Sequence, residues 1–170
     1  MYKPLAEGDK IARKYMGHLL NVTPKSTPTY ERLGEDLEAL DVDLSPEVEK
    51  KQNILGETSV NLSSYEVSAT VEPYYARKGT PMGNYLQDII DERKVLSDVV
   101  TDALEVHFWE PTTTGENPTA FVAYKEVVHV APTSYGGDNT GYQIPFDLHY
   151  TGDRTKGTYD TTSKTFAPAA

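Results

Sequence analysis

Short segments in which apolar and polar residues alternate recur along the chain, and each predicts a β-strand with one buried face. In the N-terminal half they cover residues 15–22, 29–33 and 58–71, and breaks containing proline or glycine separate them. The C-terminal half continues the pattern at residues 104–108, 120–131, 142–150, 155–159 and 164–167. Pro145 interrupts one of these segments and predicts an edge strand or a bulge there.

The region 35–56 is predicted to form a long β-hairpin with an acidic outer face. Residues 40–44 alternate apolar and acidic side chains, as in a half-buried strand. Residues 45–47 (Ser-Pro-Glu) are predicted to turn the chain, and residues 48–55 to run back towards a glycine. Between residues 31 and 50 there are eight acidic and two basic residues, so the negative charge of the chain is concentrated here.

One segment, residues 81–94, has the period of an amphipathic helix. Thr80 is a suitable N-cap, and Pro81 suits the first helical position because no backbone N–H is needed there. The apolar residues follow i, i+3, i+4 spacing and define a packing face formed by Met82, Tyr85, Leu86, Ile89 and Ile90. We expect this helix to pack against a sheet.

Many short strands and one helix predict a mainly β fold, a β-sandwich or partial barrel with one flanking amphipathic α-helix. The length of 170 residues suits a single domain over residues 1–170. Residues 1–14 show neither a strand nor a helix pattern. They are predicted to be a flexible, mildly basic N-terminal segment.

Composition and charge narrow the possible functions. The formal net charge of −10 argues against a protein that wraps nucleic acid, since phosphate binding requires clustered Lys and Arg. Twelve tyrosines favour a strand-rich protein with extensive protein–protein contacts. There is no cysteine, which excludes disulfides and thiolate metal sites. No apolar run is long enough for a transmembrane helix and no signal-peptide pattern is present, so we expect synthesis in a cytoplasm and no membrane insertion.

The sequence offers little catalytic chemistry. The chain has four histidines, His18, His107, His129 and His149. A metal site would have to form across strands, with Glu105 and His107 on one strand face and His129 opposite them. The glycine-rich residues 135–141 lack the Lys-Ser/Thr ending of a phosphate-binding loop, and no nucleophile motif is present. We therefore predict no enzyme, no metal and no cofactor.

Several segments resemble the major tail proteins of long-tailed phages that infect Gram-positive bacteria. They are residues 34–40 (GEDLEAL), 53–58 (NILGET), 72–77 (EPYYAR) and 134–146 (SYGGDNTGYQIPF), in matching order and spacing. The resemblance implies the tail tube fold, which contractile tails and type VI secretion tubes share. In that fold the subunits form hexameric rings, the inner sheets complete one shared barrel, the helix lies outside it, and the rings stack.

The resemblance also implies a structural virion protein of the phage tail, made in the bacterial host cytoplasm. Its expected partners are copies of itself, the tail tape-measure protein, the tail terminator, and baseplate or distal tail proteins. DNA passes through the lumen without specific binding. Three alternatives stay open: another virion β-domain such as a decoration or baseplate protein, the inner tube of a contractile tail or bacteriocin, and a metal-dependent enzyme that uses His107 and His129.

If the protein forms a tube, the acidic region 35–56 is predicted to line the lumen or to contact the next ring. A basic wall would hold the phosphates of passing DNA, whereas carboxylates repel them. The candidate lumen or ring-stacking residues are Glu35, Asp36, Glu38, Asp41, Asp43, Glu47 and Glu49. In the stacking alternative the hairpin reaches the next ring, and its charges meet the basic side chains of residues 1–14. The spacing of these acids lacks the ligand order and central glycine of an EF-hand calcium loop.

Overall fold

The computed structural model describes residues 2–170. Over these residues the chain forms twelve β-strands, one α-helix and two short 3-10 helices. The strands are β1 Met16–Asn21, β2 Tyr30–Leu33, β3 Val42–Asp43, β4 Pro46–Gln52, β5 Thr58–Tyr65, β6 Ser68–Val71, β7 Val100–Pro111, β8 Ala120–Pro132, β9 Gly136–Asp138, β10 Gly141–Gln143, β11 Phe146–Asp160 and β12 Thr165–Pro168. Helix α1 spans Pro81–Glu92, and the 3-10 helices span Arg13–Tyr15 and Leu96–Val99. Strands make up 49% of the chain, which confirms the predicted mainly β fold with one helix.

Eight strands form one antiparallel sheet in the order β2-β1-β7-β8-β11-β6-β3, with β12 attached to β11. Strand β11 changes neighbours along its length, since residues 146–149 pair with β6 and residues 157–160 pair with β12. A bulge between Tyr150 and Arg154 separates these two parts, because the register against β8 shifts there. The remaining strands form two separate hairpins, β4–β5 and β9–β10.

The first hydrophobic core lies between the main sheet and the helix. Successive residues of a strand point to opposite faces, so Leu20, Ala103, Val128 and Leu148 share one face of the sheet. Helix α1 buries its apolar face against them through Met82, Leu86, Ile89 and Ile90, and Tyr85 packs there half-buried. The amphipathic stripe thus holds the helix on the sheet.

Capping residues set the two ends of helix α1. The Thr80 Oγ1 accepts a hydrogen bond from the Gly83 N–H at 3.2 Å, as expected of an N-cap. The helix ends at Glu92 rather than at residue 94, because Arg93 takes a left-handed conformation with φ of 49°. The Arg93 N–H then donates to the carbonyl groups at the helix end and terminates it.

A second core lies on the opposite face, towards the other end of the long strands. It is formed by Tyr15, Leu19, Tyr30, Leu104, Val106, Phe108, Phe121, Ala123 and Tyr159. The Phe108 ring lies over Gly17, where a Cβ atom would come within 2.5 Å of it, so glycine avoids a steric clash here. Tyr2 stacks on Phe108 with ring centroids 3.9 Å apart. Leu5 packs against this core as well, so the predicted flexible segment 1–14 contributes two side chains to it. Met1 lies outside the described residues.

The structure corrects the predicted hairpin at 35–56. Strand β3 pairs with β6, and β4 pairs with β5, so the hairpin comprises residues 46–65. Pro46 opens strand β4 instead of making a turn. The turn lies at residues 53–57, where the Asn53 Oδ1 accepts from the backbone N–H of Leu55 and of Glu57 at 2.9 and 3.0 Å. An asparagine that accepts from its own turn stabilises the reversal there, and the sequence analysis missed this signal.

Two further segments differ from the sequence pattern. The predicted turn at 152–153 is a bulge inside β11, because Gly152 takes a positive φ of 84° while pairing continues beyond it. The glycine-rich residues 135–141 include part of the small β9–β10 hairpin, in which a Cβ at Gly137 would lie 2.2 Å from the Gly141 carbonyl oxygen. This close backbone approach explains the need for glycine at 137.

Candidate functional site: the protruding hairpin and the open sheet edges

The β4–β5 hairpin projects from the body of the protein. Every residue of both strands is exposed, whereas a central strand of the main sheet such as β7 alternates buried and accessible positions over most of its length. A two-stranded hairpin without a packed face is at best marginally stable in water. The hairpin is therefore the element of this fold that most needs a partner.

One face of the hairpin is apolar. The register places Val48 opposite Leu62 and Lys50 opposite Val60, so Val48, Val60 and Leu62 lie on the same side. Their exposed fractions are 48%, 63% and 47%. Tyr65 extends this apolar stripe to the base of the hairpin, and only Lys50 interrupts it. Exposed apolar strips of this kind are typical of protein–protein contact surfaces.

The tip of the hairpin is also apolar. Ile54 is 102% exposed and Leu55 is 78% exposed, at the outermost part of the turn. The hydrogen bonds to Asn53 and the positive φ of 82° at Gly56 fix the turn that presents them. The tip is therefore a defined apolar projection.

The acidic residues do not form the single face that the sequence analysis predicted. Glu35 and Asp36 lie beside helix α1, where the Arg77 guanidinium contacts their carboxylates at 3.1 and 2.8 Å. Nearby, the Glu31 carboxylate accepts from the Met82 N–H at 3.2 Å and so satisfies a free donor at the helix N-terminus. Glu38 is exposed in the irregular segment that follows. Glu31, Glu35 and Asp36 therefore serve the local structure around the helix start.

The other four acids lie nearer to the hairpin. Asp41 and Asp43 are exposed at strand β3, and the Asp43 Oδ1 accepts from the Ser45 N–H at 3.0 Å. Glu47 and Glu49 are on strand β4, and Glu49 contacts Lys51 at 3.3 Å. This ion pair is solvent-exposed and contributes little stability. The acids are therefore spread over the helix start, the β3 edge and the hairpin.

Open sheet edges are the second feature of the site. Within residues 2–170, strand β2 pairs only with β1, and β12 pairs only with β11. Each therefore presents one row of backbone N–H and C=O groups without a strand partner. Such edges form hydrogen bonds with strands of other chains.

A partly buried network of ion pairs supports the bulge in β11. Arg154 contacts Glu105 at 2.9 Å and Glu126 at 3.1 Å, and the second Glu126 oxygen accepts from the Gly152 N–H at 3.1 Å. Burial alone would raise the pKa of the Glu105 carboxyl, but the hydrogen bond and charge of Arg154 outweigh it and hold that pKa below its usual value. The same carboxylates raise the pKa of the Arg154 guanidinium against the effect of burial. The network fixes the bulge rather than offering reactive groups.

The histidines do not assemble as the metal hypothesis required. Glu105 and His107 do share a strand face, with 3.2 Å between Oε1 and Nε2. His129, however, lies opposite Val100 and His149 in the sheet rather than opposite that pair. His18 is buried in β1, where burial and then the charge of Arg13 lower its pKa. Among residues 2–170 no three His, Asp or Glu side chains are grouped as metal ligands.

The described part of the chain contains no helix that is both long and apolar enough to span a membrane.

Comparison with known proteins gives structural matches alone. The chain matches no protein-family model and no curated protein sequence. It is similar to a chain of the sheath–tube complex of an extracellular contractile injection system (PVC) in its extended state, with 12% identity and a TM-score of 0.51, over 91% of this chain and 94% of that chain. It is also similar to the sheath/tube terminator of PVC in the extended state, with 12% identity and a TM-score of 0.52, over 90% of this chain and 99% of that chain.

A third similar structure is the tube-terminating cap of the anti-feeding prophage. The identity is 13% and the TM-score 0.51, over 92% of this chain and 95% of that chain. At such low identity the likeness shows a common fold. The chain has a tail tube-like fold, in agreement with the fold that the sequence resemblance implied.

Proposed function

We propose that this protein is a structural subunit of a tail tube, which assembles with copies of itself into stacked rings around a channel. The observation that carries the proposal is the unpartnered apolar hairpin on a fold shared with chains of tube complexes. A hairpin without a packed face becomes stable when a neighbouring subunit covers it. The tail tube is the assembly in which each subunit has such a neighbour.

Ring closure follows from the open edges. The free edge of β2 on one subunit pairs with the free edge of β12 on the next, so that the sheets continue from subunit to subunit. This contact is heterologous, because the two edges differ, and such contacts close into rings or continue as helices. We propose six subunits per ring, as in the tail proteins that the sequence resembles.

The stacked rings would form the tube of a phage tail through which DNA leaves the capsid. The net charge of −10 supports a conduit that does not hold DNA, since a negative wall repels phosphates. The exposed Asp41 and Asp43 remain the proposed lumen residues, with contact between rings as the alternative role. Charge reversal, Asp41→Lys with Asp43→Lys, separates the two roles. We expect intact tubes that eject DNA poorly, whereas loss of polymerisation would assign these residues to ring stacking.

Further parts of the proposal concern location and partners. We propose that the protein is made in a bacterial cytoplasm and becomes part of the virion tail. Its partners would be the tape-measure protein inside the tube, a terminator at one end and baseplate or distal tail proteins at the other. An inner tube of a contractile system is the related candidate, supported by the similarity to a chain of a sheath–tube complex.

A tube terminator is the second candidate function, because two of the similar structures are a terminator and a terminating cap. A terminator forms one ring and stops, whereas a tube subunit stacks. Electron microscopy of the concentrated, purified protein distinguishes them. We expect hollow tubes or stacks of rings. Single rings at every concentration would favour the terminator, and globular particles without rings would contradict both.

A further inference from the structure

A second exposed apolar surface lies just beyond helix α1, on elements remote in sequence from the hairpin. Val95 is 64% exposed and Leu96 is 80% exposed, and Tyr135 across from them is 53% exposed. The three residues border a groove of about 550 Å³, whose floor includes Ile89, Val99 and Pro132. The main-sheet end of the groove is apolar and continuous with the first hydrophobic core.

Leu96 is held outward by its backbone. Its φ is +56°, in the left-handed region, which is rare for a leucine because its side chain meets the backbone there. An exposed leucine in such a conformation gains nothing from burial within its own chain. A strained residue that presents an apolar side chain to solvent is a feature of contact sites.

We infer that this groove receives the hairpin tip, Ile54 and Leu55, of a neighbouring copy of the same chain. This inference rests on the proposed function and names the acceptor surface for the hairpin. The large exposed apolar residues of the chain fall mainly into these two places, the hairpin and the groove border. Head-to-tail growth requires two different surfaces that fit each other, one on each copy.

The charged residues beside the hairpin tip and beside the groove support the same contact. Arg93, at the groove, donates to the Ile90 carbonyl at 2.7 Å and to the Tyr135 hydroxyl at 3.0 Å, and among residues 2–170 it has no carboxylate partner. Glu57, beside the tip, accepts from the Asn53 amide at 2.6 Å and has no cationic partner within the same residues. When the tip of one copy enters the groove of the next, Glu57 beside the tip comes close to Arg93 beside the groove, and their opposite charges attract.

The larger concavity of the molecule fits the tip less well. It has a volume of about 760 Å³ and lies at the base of the hairpin of the same chain. Its lining includes the polar ring of His18 and the charged side chains of Glu105, Glu126 and Arg154. An aliphatic tip gives these groups no hydrogen bonds, so covering them would leave polar atoms without water. Most residues that line the groove beyond α1 are apolar, and no carboxylate is among them, so the tip covers fewer charged groups there.

The absence of cysteine permits a direct test by disulfide cross-linking. One preparation carries Leu55→Cys and the other Leu96→Cys, and both positions are exposed, so the fold should tolerate them. The two are mixed under assembly conditions and oxidised. The matched control replaces Leu96→Cys by Tyr142→Cys, which is exposed elsewhere. We expect the mixed dimer of Leu55→Cys and Leu96→Cys to form at least tenfold faster than the control dimer.

The possible results separate this contact from the proposed function. The contact between tip and groove would be refuted if the two mixtures cross-linked at equal rates. It would also be refuted if Leu55→Cys linked faster to Val67→Cys, which lies in the larger concavity. Neither result would contradict the proposed tube assembly. Absence of any association in sedimentation would overturn both. As an independent test, Glu57→Arg and Arg93→Glu should each weaken assembly at least fivefold, and the double variant should restore it. Failure of the double variant to recover would contradict the proposed pairing.

Discussion

Replacing the apolar stripe of the hairpin should weaken assembly and leave the subunit folded. The change is Val48→Thr, Val60→Thr and Leu62→Thr, which keeps residues suited to strands. These side chains are 47–63% exposed in the subunit, so about half of each remains to be buried by a partner. Full burial of a Val or Leu side chain stabilises by about 1.5–3 kcal/mol, so each contributes about 1 kcal/mol on assembly.

The sum for the stripe is therefore about 3 kcal/mol, which corresponds to a roughly hundredfold weaker association. Sedimentation velocity over a range of protein concentrations measures this shift. The stability of the single subunit should change little, because substitutions at exposed sites usually alter it by about 0.5 kcal/mol or less. Urea unfolding of the subunit measures that second quantity.

The opposite face of the hairpin provides the matched control. Ser59→Thr with Asn61→Thr changes the polar side chains of strand β5 and leaves the stripe intact, so assembly should be unaffected. Unchanged association of the stripe variant would refute the reasoning. A loss of subunit stability of several kcal/mol would refute it as well, because the stripe would then belong to the core of the free subunit.

Three predictions test the fold. Leu86→Ala removes a fully buried side chain between α1 and the sheet and should destabilise the protein by about 2–5 kcal/mol in urea unfolding. Gly17→Ala places a methyl group 2.5 Å from the Phe108 ring and should cost about 1–3 kcal/mol in the same assay. Arg154→Met should remove the part of the free energy of unfolding that depends on pH through the Glu105 carboxyl. The pKa of Glu105 is lowered in the folded state, so its contribution is present above the unfolded value of about 4.3 and is lost as the pH falls through the folded pKa.

Each of these predictions has its own control. Asn84→Ala, on the exposed side of helix α1, should change stability little, and an effect as large as that of Leu86→Ala would contradict the packing. Adding Phe108→Leu to Gly17→Ala should recover part of the lost stability, since the ring is the obstacle. Lys25→Met breaks only an exposed ion pair with Asp98, so its pH profile should match that of the parent protein. A parent-like profile for Arg154→Met would contradict the role of the network.

The sequence was most informative where structure depends on neighbouring residues. The spacing of Leu86, Ile89 and Ile90 and the cap at Thr80 are local, and the helix begins where they place it. Alternation likewise located most strands of the main sheet. Which strands pair is a different matter, because it depends on contacts between residues far apart in the chain. The residue pattern predicts that 40–44 pairs with 48–55, whereas β4 pairs with β5 beyond the turn at Asn53.

The functional surface was harder to foresee for a related reason. Alternation is usually taken to mean that the apolar side is buried, yet Val48, Val60 and Leu62 remain exposed in the single chain. Their proposed partner is another subunit, so nothing in the sequence of one chain distinguishes them from core residues. Glu35 and Asp36 are the opposite case. Their sequence suggested acids that face another subunit or the lumen, but Arg77, from a segment remote in sequence, binds them within the chain.

Cryo-electron microscopy of the assembled protein tests the central proposal most directly, since a helical reconstruction shows both the channel and the position of every hairpin. We expect a hollow tube of stacked sixfold rings in which each β4–β5 hairpin is covered by a neighbouring subunit. A tube whose hairpins point freely into solvent, or an assembly without a channel, would contradict the proposal that this hairpin joins subunits of a tail tube.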